Sequence, residues 1–357
     1  MKTSEQVRVG VAVVALGAAA VAWPPALVER WFATGLYPPW QRGVTTLSNL
    51  VPVPWLDVLI VAALVWLGRL WWRALRPPGP RRRRAGQALL STAAAAAGLY
   101  LVFLGSWGLN YQRVPVSRRL SLDSVPVTTD AVVRVGEDAA AHLNALHGAA
   151  AALATHAGES EMAVALGPAA ATVQRQLGQA APAVPARLKR SLLGQVFRWN
   201  GVDAMTSPFG LEVLVNPDLL AVERPFVAAH EWAHLAGYAV EAEASFVGWL
   251  TCLRGDPLAQ YSGWLALYWQ VVAEVPPARR AALQAMLEAG PRADMAAIAA
   301  RLRRGELPRL RLVSWVMYDR YLKANRVPSG VESYGEVVSL VVRARRGSGA
   351  RLLLLAD

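Results

Sequence analysis

The sequence predicts a mainly α-helical chain: three N-terminal transmembrane helices, then a mostly helical domain with one small β-hairpin. Three observations predict it. Long uncharged stretches occupy the first third, apolar residues at helical spacing recur through the rest, and one short run near residue 211 alternates like a strand between turn-forming residues. Of the 357 residues 54% are hydrophobic and only 17% charged, against roughly 25% charged in soluble globular chains. A disordered or fully soluble protein is thereby excluded. The net charge of +12 is uneven, with +8 in residues 1–112 and +4 in the remaining 245. The basic excess belongs to the apolar third and speaks of membrane topology rather than of nucleic acid, which is not an expected partner. Cys252 is the single cysteine, so an intramolecular disulfide and a Cys-rich zinc cluster are both excluded.

Residues 1–112 read as a membrane domain with spans at about 9–28, 51–72 and 88–110. Val9 to Val28 and Ala85 to Gln112 are uncharged throughout, and 20 residues at 1.5 Å each cross a hydrocarbon core of about 30 Å. Val51 to Trp72 is interrupted only by Asp57 and Arg69 near its ends, where side chains reach the headgroups. Trp55, Trp66, Trp71 and Trp72 suit interfacial aromatic belts. A cleaved signal peptide is the rival reading of the first span, but Pro24-Pro25 and bulky residues stand where small residues would mark cleavage. Arg69, Arg73, Arg76 and Arg81 to Arg84 cluster between the second and third spans. Positive charge stays in the cytoplasm, so residues 113–357 are expected outside it, making this a multi-pass cell-membrane protein.

Beyond the linker Arg113 to Pro126, helices are expected at Thr129 to His156, Pro168 to Gly178 and Ala186 to Trp199. Ser207, Pro208 and Gly210 make a turn, and Leu211 to Asn216 reads as a strand that can pair as an edge with an extended substrate. Helices resume from Pro225, then at Glu241 to Arg254, Tyr261 to Val275, Pro277 to Ala289, Pro308 to Ala324 and Ser329 to about Arg345. No fixed-period repeat is visible.

The helix from Pro225 contains His230-Glu231-Trp232-Ala233-His234, an HExxH motif. Residues i and i+4 share a helix face, so both imidazoles can bind one Zn²⁺, with Glu231 beside its open coordination position as general base. A catalytic zinc needs a third protein ligand. Gly237 can end this helix in the left-handed conformation, and the next opens with Glu241 and Glu243. Two positions apart, these lie about 200° around the helix and cannot both face one metal. Glu241 is favoured, because its stripe continues through the small residues Ala244, Ser245, Gly248 and Cys252, which permits close approach of the two helices. Glu243 is the alternative third ligand, and either carboxylate also suits a helix N-terminus. His142, His147 and His156, spaced by five and nine, read as surface or packing residues. Tyr261, Tyr268, Tyr318, Tyr321 and Tyr334 can serve as phenol donors to a carbonyl or as ordinary core tyrosines. Nucleophile elbow, Walker and dinucleotide-binding motifs are absent.

The three spans, the segments His230 to Phe246, Tyr261 to Gly263, Tyr321 to Asn325 and Val331 to Gly335, and the turn Ser207 to Gly210 followed by Glu212 and Asn216 together resemble a bacterial membrane family, the domain of unknown function DUF 3810. The resemblance covers most of the chain, and Ser245 stands where that family usually has asparagine. The family is similar to gluzincin zinc metallopeptidases, whose third ligand comes in the form Glu-x-x-Ala-Asp/Asn. That form implies a zincin-like fold for residues 113–357, with Glu241 as ligand and Ser245 as its companion. The expected activity is zinc-dependent hydrolysis of a peptide or protein substrate outside the cytoplasm. A zinc-stabilised binding or sensor module without catalysis is the rival class. An intramembrane protease is disfavoured, because charged residues bracket the HExxH helix too closely for a span.

Overall fold

The computed structural model describes residues 3–76, 80–155, 158–330 and 335–346. His156 and Tyr334 lie outside the described residues, as do Val331 to Ser333. The fold is mainly helical. Helices α1 (Thr3–Ala20), α2 (Pro25–Asn49), α3 (Trp55–Leu75) and α4 (Arg81–Ser106) come first. Of these, α3 and α4 are each long and apolar enough to cross a membrane, and α1 with α2 makes a third such pair, bent by 110° at the break.

That bend corrects the expected first span. The helix does not run from Val9 to Val28 but stops at Ala20, because Pro24 and Pro25 cannot continue it. Beyond the break α2 takes a new direction, wound as a π-helix over Val28–Leu36. One face of α2 is buried through Val28, Phe32, Tyr37, Gln41, Thr45 and Ser48. Gln41 Nε2 donates to the Val184 carbonyl at 2.8 Å and Thr45 Oγ1 to the Leu211 carbonyl at 2.7 Å, so this face docks on the following domain.

That domain carries α5 (Thr129–Ala154), α6 (Glu159–Gln176), α7 (Gly194–Asn200), α8 (Arg224–Leu235), α9 (Glu241–Leu253), α10 (Pro257–Glu274), α11 (Pro277–Met286), α12 (Ala289–Gly305), α13 (Pro308–Ala324) and α14 (Glu336–Arg346). Thr128 caps α5 and Asp256 caps α10, each side chain accepting from a backbone N–H of the first turn. Helix α10 packs along α5, where Leu143, Tyr268 and Val271 are fully buried. At Gly136 a Cβ would come within 2.9 Å of Val271, so only glycine lets the two helices approach this closely. Three expectations are corrected here. Ala186 to Trp199 is a short strand, β1 (Leu188–Lys189), followed by α7, since the buried Lys189 is drawn into the sheet. Helix α12 lies in a stretch where no helix was expected, and the last helix starts at Glu336.

The hairpin of β2 (Ala204–Ser207) and β3 (Glu212–Val215) forms as expected, with Thr206 opposite Val213. It belongs, however, to a three-stranded sheet in the order β1-β3-β2, with β1 parallel to β3. Leu211 to Asn216 is therefore the central strand and cannot be an edge for substrate. Every residue of β3 is buried, and its backbone bonds are taken on both sides.

All three apolar helices enter the domain by their ends on one side. The carboxylate of Glu212, wholly buried, accepts from the backbone N–H of Trp55 at 3.1 Å and of Leu56 at 2.9 Å, and pairs with Lys189 Nζ at 2.9 Å. The start of α3 is thereby capped by a strand of the sheet, an anion at the positive end of the helix. Ser106 at the end of α4 donates to the Pro208 carbonyl at 3.2 Å, and Arg326 reaches the Ala20 carbonyl at the end of α1 at 3.2 Å. The arginines at 73, 76 and 81–84 sit at the opposite ends of α3 and α4, a helix length of about 30 Å away.

Candidate metal centre

Helix α8 leaves its last carbonyls without helical partners, as every helix does. Here side chains from distant segments satisfy them in succession. Trp107 Nε1 donates to the His234 carbonyl at 3.0 Å, Tyr37 Oη to Leu235 at 2.8 Å, Gln179 Nε2 to Ala236 at 2.6 Å and Arg113 Nη1 to Gly237 at 3.1 Å. Gly237 takes φ +85°, and a Cβ there would lie 2.8 Å from both Arg113 Nη1 and Asn110 Oδ1. Its glycine is required twice, by the left-handed turn and by the Arg113 guanidinium. Arg113 is in turn paired with Glu29 of α2 at 2.7 Å.

The turn at Gly237 brings α9 back across α8. At Gly248 a Cβ would lie 3.0 Å from the His230 backbone nitrogen, so the small stripe on α9 does allow the two helices to touch. The crossing brings Glu241 Oε2 to 3.2 Å from His230 Nε2 and 3.5 Å from His234 Nε2. Among the described residues these three form the one His/Cys/Asp/Glu cluster that could hold a metal ion, their ligand atoms all within 4.8 Å of one another.

The donor set fits zinc. His234 Nδ1 donates to the Tyr238 carbonyl at 2.8 Å and His230 Nδ1 lies 3.2 Å from Ser245 Oγ, so both Nε2 atoms face Glu241 at the common centre. Ser245, expected as the companion of Glu241, lies instead beside His230. Burial would lower the His234 pKa, but the Glu241 and Glu231 carboxylates push it up to about 9, while His234 and His230 hold Glu241 well below its usual range despite burial. The site is a buried patch of paired charge. Glu243 is elsewhere: its Oε1 accepts from the Val116 N–H at 2.7 Å, and burial raises its pKa.

Glu231, between the two histidines, is buried, and its Oε2 accepts from Thr206 Oγ1 on β2 at 2.7 Å. Tyr318 Oη on α13 donates to Glu241 Oε1 at 2.5 Å. Tyr321 lies nearby, packed against Phe103 and Tyr111, and burial pushes its phenol up to about 12. The other candidates fall away from the centre. Tyr261 donates to Asp294, which also faces His147; His142 stacks on Trp264, and Tyr268 sits in the core beside α5.

A family model described as "Protein of unknown function (DUF3810)" matches residues 32–342. The chain belongs to this family. Its match begins within α2 and takes in the sheet and every residue of the His-His-Glu cluster. No curated protein and no solved structure matches the chain. Tyr37, Trp107, Arg113 and Thr206 were not singled out by motif reasoning. They lie between 25 and 198 positions from the groups they contact in α8 and the turn after it, and no local pattern links them.

Proposed function

We propose that this DUF3810 protein is a membrane-anchored zinc metallopeptidase with a zincin-like, extracytoplasmic domain. The observation that carries this reading is the convergence of His230, His234 and Glu241 around one point, with Glu231 held between the histidines by Thr206. His230, His234 and Glu241 would hold the zinc, which when bound supplies Lewis-acid polarisation of a carbonyl. The protein's own residues do the rest. Glu231 accepts the proton of the attacking water and returns it to the leaving amine, in the manner of a general base. Tyr321 offers a phenol donor beside the centre, while the Tyr318 hydroxyl is committed to Glu241. Strand β2 bonds only to β3 among the described residues, so its outer edge, above α8, takes over the peptide-pairing role expected of β3.

The full chain, purified in detergent, should contain about one zinc per molecule and cleave members of a random peptide library. Zinc without any cleavage would favour a zinc-stabilised sensor instead. Glu241→Ala should lower zinc affinity far more than Glu243→Ala, since Glu243 faces Val116. The opposite order, read by competition with a chromogenic chelator, would move the third ligand to Glu243.

The extracytoplasmic placement rests on the arginines at the ends of α3 and α4 remote from the domain. A reporter inserted between Arg76 and Pro80 should be cytoplasmic and one inserted after Gln284 on α11 should not. Both reporters on one side would reject the arrangement.

A further inference from the structure

Helix α2 has a second face that the domain does not use. Opposite the buried stripe, Trp31, Leu36, Trp40 and Leu47 stand outward and are 49–70% exposed. A soluble surface rarely presents such a row of large apolar side chains. Three further observations say what covers it. The helix leaves α1 at 110° and leads within a few residues into the membrane-length α3, so it runs across the direction of α1 and is tied to a helix that can span. Tryptophan and arginine alternate with its aliphatic residues, and Arg30 lies over the Trp31 ring at 5.5 Å, the pattern of a headgroup-level helix. Helix α13 repeats the arrangement beside the ends of α1 and α4, where Arg326 meets Ala20 and Tyr321 meets Phe103. Its Leu312, Val313, Val316 and Met317 are 45–67% exposed.

The metal cluster lies between these two helices. Tyr37 of α2 holds the end of α8, Tyr318 of α13 holds Glu241, and Trp107, one residue past the end of α4, packs 6.2 Å from the His234 ring. A bilayer that covers α4 to its end therefore reaches the wall of the site. We infer that the outward faces of α2 and α13 form a collar embedded in the interfacial layer of the bilayer, which holds the His-His-Glu centre at the membrane surface and directs it to chains anchored in that same membrane. The substrate class rests on the peptidase reading. The collar does not.

Two measurements on the full chain in phosphatidylglycerol/phosphatidylethanolamine vesicles test it. The native Cys252 is wholly buried, so nitroxide labels go selectively on single variants Leu36→Cys, Leu47→Cys and Met317→Cys, with Ala285→Cys on exposed α11 as the aqueous control. The first three should collide severalfold more with dissolved oxygen, and less with a water-soluble nickel chelate, than the control. Equal chelate access at all four positions would overturn the collar. Shielding of the three from both agents would mean that a second copy covers the face, which also overturns it. In the same vesicles a peptide carrying a lipid anchor should be cleaved about tenfold or more faster than the free peptide, through its raised local concentration and fixed approach. Equal rates would overturn the substrate class. Lipid-like labels with no cleavage of either peptide would support the collar and count against the peptidase reading alone.

Discussion

Glu231→Gln should leave the fold and the zinc content unchanged while lowering peptide hydrolysis by about 10²–10⁴, the usual yield of a general base. Glutamine has the same shape, and its amide oxygen can still accept from Thr206, whose hydroxyl lies 2.7 Å from the carboxylate. What it lacks is the basic oxygen. The loss should therefore appear in kcat at unchanged zinc stoichiometry, read by single-turnover cleavage beside a metal assay. A variant that hydrolyses as fast as the parent would remove Glu231 from the mechanism. If neither cleaves any peptide while the variant still supports the parent's cellular role, the sensor reading becomes the better one.

His234→Ala should abolish stable zinc binding, with affinity falling by more than about 100-fold, the upper end of what loss of a mere supporting residue costs. The side chain is buried at the centre of the cluster and does two jobs at once. Its Nε2 is 3.5 Å from Glu241, and its Nδ1 fixes the turn at Tyr238. His230→Ala should lose zinc to a similar degree yet disturb the fold less, because His230 is more exposed and its second nitrogen reaches only Ser245. Equilibrium dialysis against zinc, with thermal melting of both variants, separates the two effects. Full zinc content in both would place any bound ion elsewhere.

How much of this could be read without coordinates differs from element to element. The period of 3.6 residues made the facing of His230 and His234 legible, since both lie within one helix and i, i+4 geometry is local. The small stripe from Ala244 to Gly248 marked a helix able to approach another closely, and Gly248 does pack on the His230 backbone. The hairpin was legible from its turn residues, Ser207 to Gly210. Length and apolarity marked α3 and α4.

Other features were invisible because they depend on which distant segments meet. Apolar content extends across Pro24 and Pro25, so composition placed one span where the chain breaks, turns and continues as α2. Strand β3 alternates like an edge strand and is central, because the partner that covers its second side, β1, is only two residues long and sits in a stretch with helical composition.

By itself the sequence determined a mainly helical chain with helices long and apolar enough to cross a membrane, the HExxH helix, the glycine that ends it and the two carboxylates that follow, for all of these rest on spacing within a single element or across one turn. Only the tertiary structure decided that Glu241 turns to the histidines and Glu243 to Val116, that Thr206 holds Glu231, and that Tyr37, Trp107 and Arg113 complete the end of α8. Those contacts join residues up to 198 positions apart. Long-range pairing is set by the packing of whole helices and leaves no periodic mark on the chain.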